Sequence, residues 1–236
     1  MSTADIELQQ IQKAYYKGRL EIPVIHGLSL HIDEGEFVAM MGPSGSGKST
    51  LLHLIGGLDV PTAGSVRVGD AHLEHMSEQS LTNWRSRHVG FIFQMYHLVP
   101  VLTAAQNVEL PLLLFKMSSR ERKQRVAAAL QVVGLQDRMD HRPNQLSGGQ
   151  EQRVAIARAI VTDPDVILAD EPTGDLDART SEEILNLLNL LNDEFGKTIL
   201  MVTHDPKAAN HARRMLPLEK GDRERDELTA RAAPTM

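Results

Sequence analysis

The 236-residue sequence contains no cysteine. That leaves no disulfide framework and no thiolate metal site to build, and it suits a reducing compartment. A basic surplus is also missing: 25 lysines and arginines face 31 aspartates and glutamates, for a formal net charge of -6. Nucleic-acid binders carry a basic stripe, and none is visible here, so no nucleic-acid partner is expected. Long apolar runs are absent as well. The most apolar stretch, Leu110-Pro111-Leu112-Leu113-Leu114-Phe115, is far shorter than the roughly 20 residues needed to cross a bilayer. The amino-terminal segment has neither the basic start nor the apolar stretch of a secretion signal. Service to a membrane therefore requires docking on a partner that spans it.

What is present is an ordinary globular mixture, 42% hydrophobic and 24% charged, long enough for one domain or one domain with a subdomain. Ile6, Leu8, Leu28, Leu30 and Ile32 alternate with polar neighbours and predict half-buried strands. Asp33-Glu34-Gly35-Glu36 reads as a turn, and Phe37 to Met41 as a strand buried on both faces. A glycine-rich loop follows, then helical character over Thr50 to Ile55, then short strands through Val66 and Val68. From about Met95 to Asp163 the pattern is mostly helical, including Arg120 to Leu130 behind Ser118 and Ser119 as caps. Val166 to Ala169 and Ile199 to Val202 return as buried strands, separated by a helix through Ile184 to Leu191. The expectation is a single α/β domain, with core 1–94 and 164–218 and a helical insertion at about 95–163. From Glu219 onward the chain is dense in charge and reads as a fraying tail. No internal repeat is evident.

Three motifs carry chemistry. Gly42-Pro43-Ser44-Gly45-Ser46-Gly47-Lys48-Ser49-Thr50 matches the phosphate-loop pattern G-x-x-x-x-G-K-[ST], between a buried strand and a helix. Glycines let successive N–H groups point at phosphate oxygens, and the helix start adds a favourable dipole. Lys48 is placed to reach the β- and γ-phosphates, and the Ser49 hydroxyl to ligate Mg²⁺. The apolar strand Val166 to Ala169 ends in Asp170 and Glu171; the first suits a carboxylate beside magnesium, the second a general base. Leu146-Ser147-Gly148-Gly149-Gln150 opens a further helix and forms a second anion-binding start. One nucleotide cannot easily reach both phosphate devices of one chain, so two chains head to tail are the economical arrangement.

Together these motifs resemble the ABC ATPases over nearly the whole chain, from about Ile6 to Gly221. The resemblance implies a P-loop NTPase core with a mixed or parallel sheet, an antiparallel β subdomain and a helical signature subdomain. It implies ATP and Mg²⁺ as cofactors. Gln94, after Val89 to Phe93, resembles the glutamine that senses Mg²⁺ and the attacking water. His204 looks like the switch histidine, and Asp175-Leu176-Asp177 like the loop that couples two sites across a dimer. Tyr15 sits where the family places an aromatic against adenine. No metal is expected at the other nine histidines.

Within the family, Leu51 to Asp59, Gln94 to Pro100 and Ala169 to Gly174 look like the lipoprotein-releasing and macrolide-exporter branch. That implies a homodimer, an integral-membrane permease subunit, and a peripheral place on the cytoplasmic face of the inner or plasma membrane. A groove between the Gln94 region and the helical subdomain would receive the permease. Asp175 departs from the Asn common in this branch, and the segment Met215 to Asp222 keeps only an outline of the family's closing strands. The rival reading, a soluble ABC ATPase acting on ribosomes or DNA, implies two cassettes in one chain or a long coiled-coil insertion, and neither is present.

Overall fold

The computed structural model describes residues 4–218; the tail read from Glu219 onward lies outside them. In chain order the strands are β1 (Ile6–Lys17), β2 (Leu20–Ile32), β3 (Phe37–Met41), β4 (Ala63–Val68), β5 (Ala71–His72), β6 (Val89–Phe93), β7 (Val166–Asp170), β8 (Thr198–Thr203) and β9 (Arg214–Pro217). The helices are α1 (Lys48–Ile55), α2 (Glu78–His88), α3 (Ala104–Glu109), α4 (Ser119–Val132), α5 (Gly148–Ile160), α6 (Ala178–Asp193) and α7 (Pro206–Ala209). One sheet is antiparallel, in the order β2-β1-β4-β5. The other is β6-β7-β8-β3-β9, with every neighbouring pair parallel.

The parallel strands are apolar at consecutive positions because both of their faces are covered. Phe37 and Ala39 face one core with Ile167, Ala169, Ile199 and Met201, closed by Val108, Leu130, Ile156, Ile184 and Leu188 from the helices. Val38 and Met40 face the other core with Leu168, Leu200 and Val202, closed by Leu51, Leu54 and Ile55 of α1 and by Ile6, Leu8 and Ile32 of the antiparallel sheet. Each such side chain contributes about 1.5–3 kcal/mol of burial free energy. The sheet's position is thus fixed from above and below.

Two elements exceed the sequence expectation. β1 runs on to Lys17, because a bulge at Gln9 and Gln10 resets the alternation: Leu8 and Ile11 are both buried, and Gln10 takes φ 49°. α2 was not anticipated, since only Leu81 and Trp84 along it are buried. Its start was nonetheless marked by Ser77, whose hydroxyl accepts from Ser80 N. In the 95–163 region α3, α4 and α5 are joined by three short 3-10 turns and loops. Buried Asn107 stitches the first loop, its Oδ1 accepting from Val99 N at 2.7 Å and its Nδ2 donating to Thr103 O at 3.0 Å. The outline of a closing strand is realised as β9 against β3.

Candidate active site

Strand register brings the motif residues to one edge. Met41 pairs with Thr203, Val202 with Asp170, and Asp170 with Phe93. The phosphate loop, His204, Glu171 and Gln94 each follow directly in the chain. Four segments far apart in sequence therefore emerge side by side at the carboxyl edge of a parallel sheet, where open α/β sheets place their ligands.

The phosphate loop is shaped by its glycines. Gly45 and Gly47 take φ 78° and 94°, left-handed values that side chains resist. A Cβ on Gly42 would lie 2.2 Å from the Leu218 carbonyl oxygen and 2.8 Å from Ser46 Oγ. Lys48, only 7% exposed, folds its ammonium across the loop, donating to Gly42 O at 2.7 Å and Pro43 O at 2.9 Å. Ser46 Oγ is buried without a protein partner. A buried cation held only by carbonyls, an unpartnered hydroxyl and the start of α1 form a cradle suited to a multiply charged anion. Ser49 lies exposed and Thr50 partly exposed on the first turn of α1.

Glu171 is held at φ 47° by a hydrogen bond from its N to Val202 O (2.9 Å) and by Gly174 N donating to Glu171 O (3.1 Å). Left-handed backbone costs a non-glycine residue roughly 1–2 kcal/mol, and strain of this kind gathers at functional sites. Its Oε2 lies 2.9 Å from His204 Nδ1, so carboxylate and imidazole form a pair at the strand ends. Asp170 closes β7 beside them. Gln94 Nε2 donates to Asp175 Oδ1 at 3.0 Å. These are all oxygen or nitrogen donors, and the hydroxyl of Ser49, the amide oxygen of Gln94 and the carboxylate of Asp170 are hard oxygen donors, the chemical type that suits magnesium.

The signature residues turn out to serve α5 itself as well. Ser147 Oγ accepts from Gln150 N (3.3 Å), and Gln150 Oε1 accepts from Ser147 N (3.0 Å), a reciprocal cap. The Gln150 side chain is thereby engaged. A Cβ on Gly149 would lie 2.3 Å from Thr180 Cγ2, so close packing requires that glycine; one on Gly148 would lie 3.0 Å from Tyr96 Oη, a tight approach that a small shift of the tyrosine relieves. Among the described residues no hydrogen bond or ion pair joins residues 147–150 to the phosphate loop. Asp177 caps α6, accepting from Arg179 N and Thr180 N and from Thr180 Oγ1. The Thr180 hydroxyl, then these N–H groups, hold its carboxyl below the usual range.

Tyr15 lies on β1, 40% exposed, its hydroxyl donating to Asp59 Oδ2 at 3.0 Å, with Lys13 Nζ 5.0 Å from its ring. Lys13 in turn is paired with Asp59 at 2.6 Å.

Sequence reasoning missed the support behind Gln94. Tyr96 and His97 both take left-handed φ, 50° and 48°. Arg158 of α5 holds this turn by donating to His97 O and Tyr96 O, at 2.6 Å each. Burial lowers the Arg158 pKa. The only available signal was an arginine on an otherwise apolar helix face.

Known proteins match this architecture. A model of the ABC transporter family matches residues 25–174. The ABC transporter ATP-binding protein MJ0796 of Methanocaldococcus jannaschii is 48% identical over 227 residues, covering 94% of this chain and 96% of the relative. Its dimeric structure superimposes with a TM-score of 0.85 over 94% of this chain and 98% of that one, at 46% identity. A second structure, of the post-hydrolysis state bound to ADP and Pi, gives 0.84. The lipoprotein-releasing system ATP-binding protein LolD of Legionella pneumophila is 44% identical, covering 90% and 94% of the two chains. The macrolide export ATP-binding/permease protein MacB of Rhodopseudomonas palustris is 46% identical over 98% of this chain, but over only 35% of its own length. With its strand-edge motifs and these likenesses, the chain belongs to the ABC transporter family, as one of its ATP-binding and ATP-hydrolysing subunits.

Proposed function

We propose that two copies of this chain close around two Mg-ATP molecules and hydrolyse them to drive an integral-membrane permease, with the dimer docked at the cytoplasmic face of that membrane. The observation that carries this reading is the convergence of the phosphate loop, Gln94, Asp170, Glu171 and His204 at one sheet edge, while Ser147 to Gln150 open a separate helix. In this reading the triphosphate replaces the carbonyls of Gly42 and Pro43 as partner of Lys48, exchanging neutral acceptors for charged ones, which bind more strongly. Successive amides of residues 44–50 and the Ser46 hydroxyl donate to the same phosphates, and Tyr15 covers the adenine. Ser49, Gln94 and Asp170 would hold magnesium, which would supply positive charge beside the phosphates.

Glu171 takes a proton from the attacking water as its oxygen bonds to the γ-phosphorus. The bond from that phosphorus to the bridging oxygen breaks, and ADP leaves with the electron pair. His204 orients Glu171 through the 2.9 Å contact and leaves its other ring nitrogen for the γ-phosphate. Ser147 of the partner subunit completes the closure, so ATP stabilises the dimer by binding it better than the open pair. Asp175 and Asp177 lie at the seam.

No helix of the described residues is long and apolar enough to cross a membrane, which fits a separate permease. An open groove of about 470 Å³, lined by Leu58, Phe91, Phe93, His97, Pro111 and Leu114, lies beside Gln94. Leu114, 73% exposed, and Met95, 67% exposed, give this region apolar surface for a short permease helix. The LolD and MacB relatives favour the transporter over the ribosome or DNA reading.

Glu171→Gln tests the scheme. Removing a general base costs about 10²–10⁴-fold in turnover, and the variant should accumulate as an ATP-bound dimer by light scattering. A monomer in saturating Mg-ATP would refute the sandwich.

A further inference from the structure

Asp175 is exposed, yet the turn presenting it is firmly anchored. Leu176 N donates to Thr173 O at 3.1 Å, and Asp177 is fixed by three hydrogen bonds from Arg179 and Thr180. From this turn Asp175 Oδ1 receives Gln94 Nε2 at 3.0 Å. Gly174 makes room for the contact: a Cβ there would lie 2.8 Å from Gln94 Nε2 and 2.9 Å from its Cδ. The Gln94 amide thus lies across Gly174, with its nitrogen toward the turn.

An ionised carboxylate only accepts hydrogen bonds, whereas a glutamine amide offers a donor at one end and an acceptor at the other. Asp175 therefore permits a single orientation of Gln94. The nitrogen must face Asp175, and the oxygen must face away. We propose that Asp175 is a positioning residue acting within its own chain: it fixes the flip of the Gln94 amide so that the oxygen, the atom a divalent cation takes, is presented toward the nucleotide. This rests on the reading of Gln94 as a ligand of the nucleotide's cation.

The test measures affinity of the full-length chain for a fluorescent methylanthraniloyl derivative of AMP-PNP, in EDTA and in Mg²⁺; the ratio is the magnesium enhancement. Asp175→Ala should leave the metal-free affinity unchanged and lower the enhancement about tenfold, the scale of one charge-assisted hydrogen bond. Asp175→Asn can donate or accept, so both flips of Gln94 become available and the enhancement should fall about twofold. Should Asp175→Ala fail to fold by thermal melting, the Asn variant decides. Gln94→Ala separates the two layers of the argument. If Gln94→Ala abolishes the enhancement while both Asp175 variants keep it, the positioning role is wrong and the ligand reading stands. If Gln94→Ala keeps it, the ligand reading falls and takes the proposal with it. Equal losses with and without magnesium in the Asp175 variants would reduce the contact to loop packing and overturn the proposal.

Discussion

Replacing Arg158 with Met should loosen the turn behind Gln94 without touching the phosphate loop. Two hydrogen bonds at 2.6 Å, to the Tyr96 and His97 carbonyls, are lost. Bonds from a charged donor contribute about 1.5–3 kcal/mol each, so the gross loss is roughly 3–6 kcal/mol. Relief from burying the guanidinium, the cause of its lowered pKa, offsets part of this, leaving a net loss of about 2–3 kcal/mol. The turn also stores strain, since Tyr96 and His97 both sit at left-handed φ; freed from Arg158, they relax. Urea denaturation measures the global loss, and hydrogen exchange at residues 94–98 should accelerate locally by more than the global change. Arg158→Lys keeps the charge but not the planar fork, so it should fall between wild type and Met. A loss under about 0.5 kcal/mol for the Met variant, with unchanged exchange at residues 94–98, would refute the clamp.

Other outcomes follow from the same geometry. Gly149→Ala forces a Cβ to 2.3 Å from Thr180 Cγ2 and should cost about 1–3 kcal/mol in thermal stability. Adding Thr180→Ser removes that methyl but keeps the hydroxyl on Asp177, and should recover most of the loss; no recovery would mean α5 and α6 clash elsewhere. Arg67 pairs with Asp5 at 2.8 Å and with Glu7 at 2.7 Å. Arg67 lowers the Asp5 pKa below 3.8, and Gln9, then Arg67, lower that of Glu7 below 4.5. Lowered carboxylate pKa values stabilise the fold above the unfolded-state values, and that stabilisation disappears as pH falls through the folded-state ones. The stability gap between wild type and Arg67→Met should therefore be full at neutral pH and close below about pH 4. A gap that stays constant into strong acid would show that Arg67 acts by packing alone.

Legibility from sequence followed local chemistry. Asp170 and Glu171 could be read because an apolar strand ends in two acids, and the phosphate loop because its glycines and lysine obey a fixed spacing. Their convergence with Gln94 and His204 was legible only through family resemblance, since strand order is a non-local property of the sheet. β1 was half read, because the Gln9–Gln10 bulge breaks the two-residue period between Leu8 and Ile11. α2 escaped because Leu81 and Trp84 are too few to make a stripe. Gly148 and Gly149 were read as phosphate donors; their packing against Tyr96 and Thr180 depends on helix approach, which no local pattern encodes. The Arg158 clamp spans about sixty residues and carries no motif.

The shared strand register has a bearing on where this chain tolerates change. Glu171, Gln94, His204 and the phosphate loop all depart one residue beyond their strands, on one edge. Deleting a single residue inside β7 would turn every following side chain of that strand to the opposite face and draw Glu171 away from His204. The opposite edge is entered through turns that hold Gly35, Asp163 and Gly196 at positive φ, outside the strands themselves. Lengthening those turns shifts no register. Buried Asn192 donates to Gly35 O and Lys197 O, and Gly35 N donates to Thr198 Oγ1, which ties the turns before β3 and β8 together. Insertions, epitope tags or grafted sensors are therefore best admitted at the amino end of β7, around Asp163, where the molecule can grow while its chemistry stays in step.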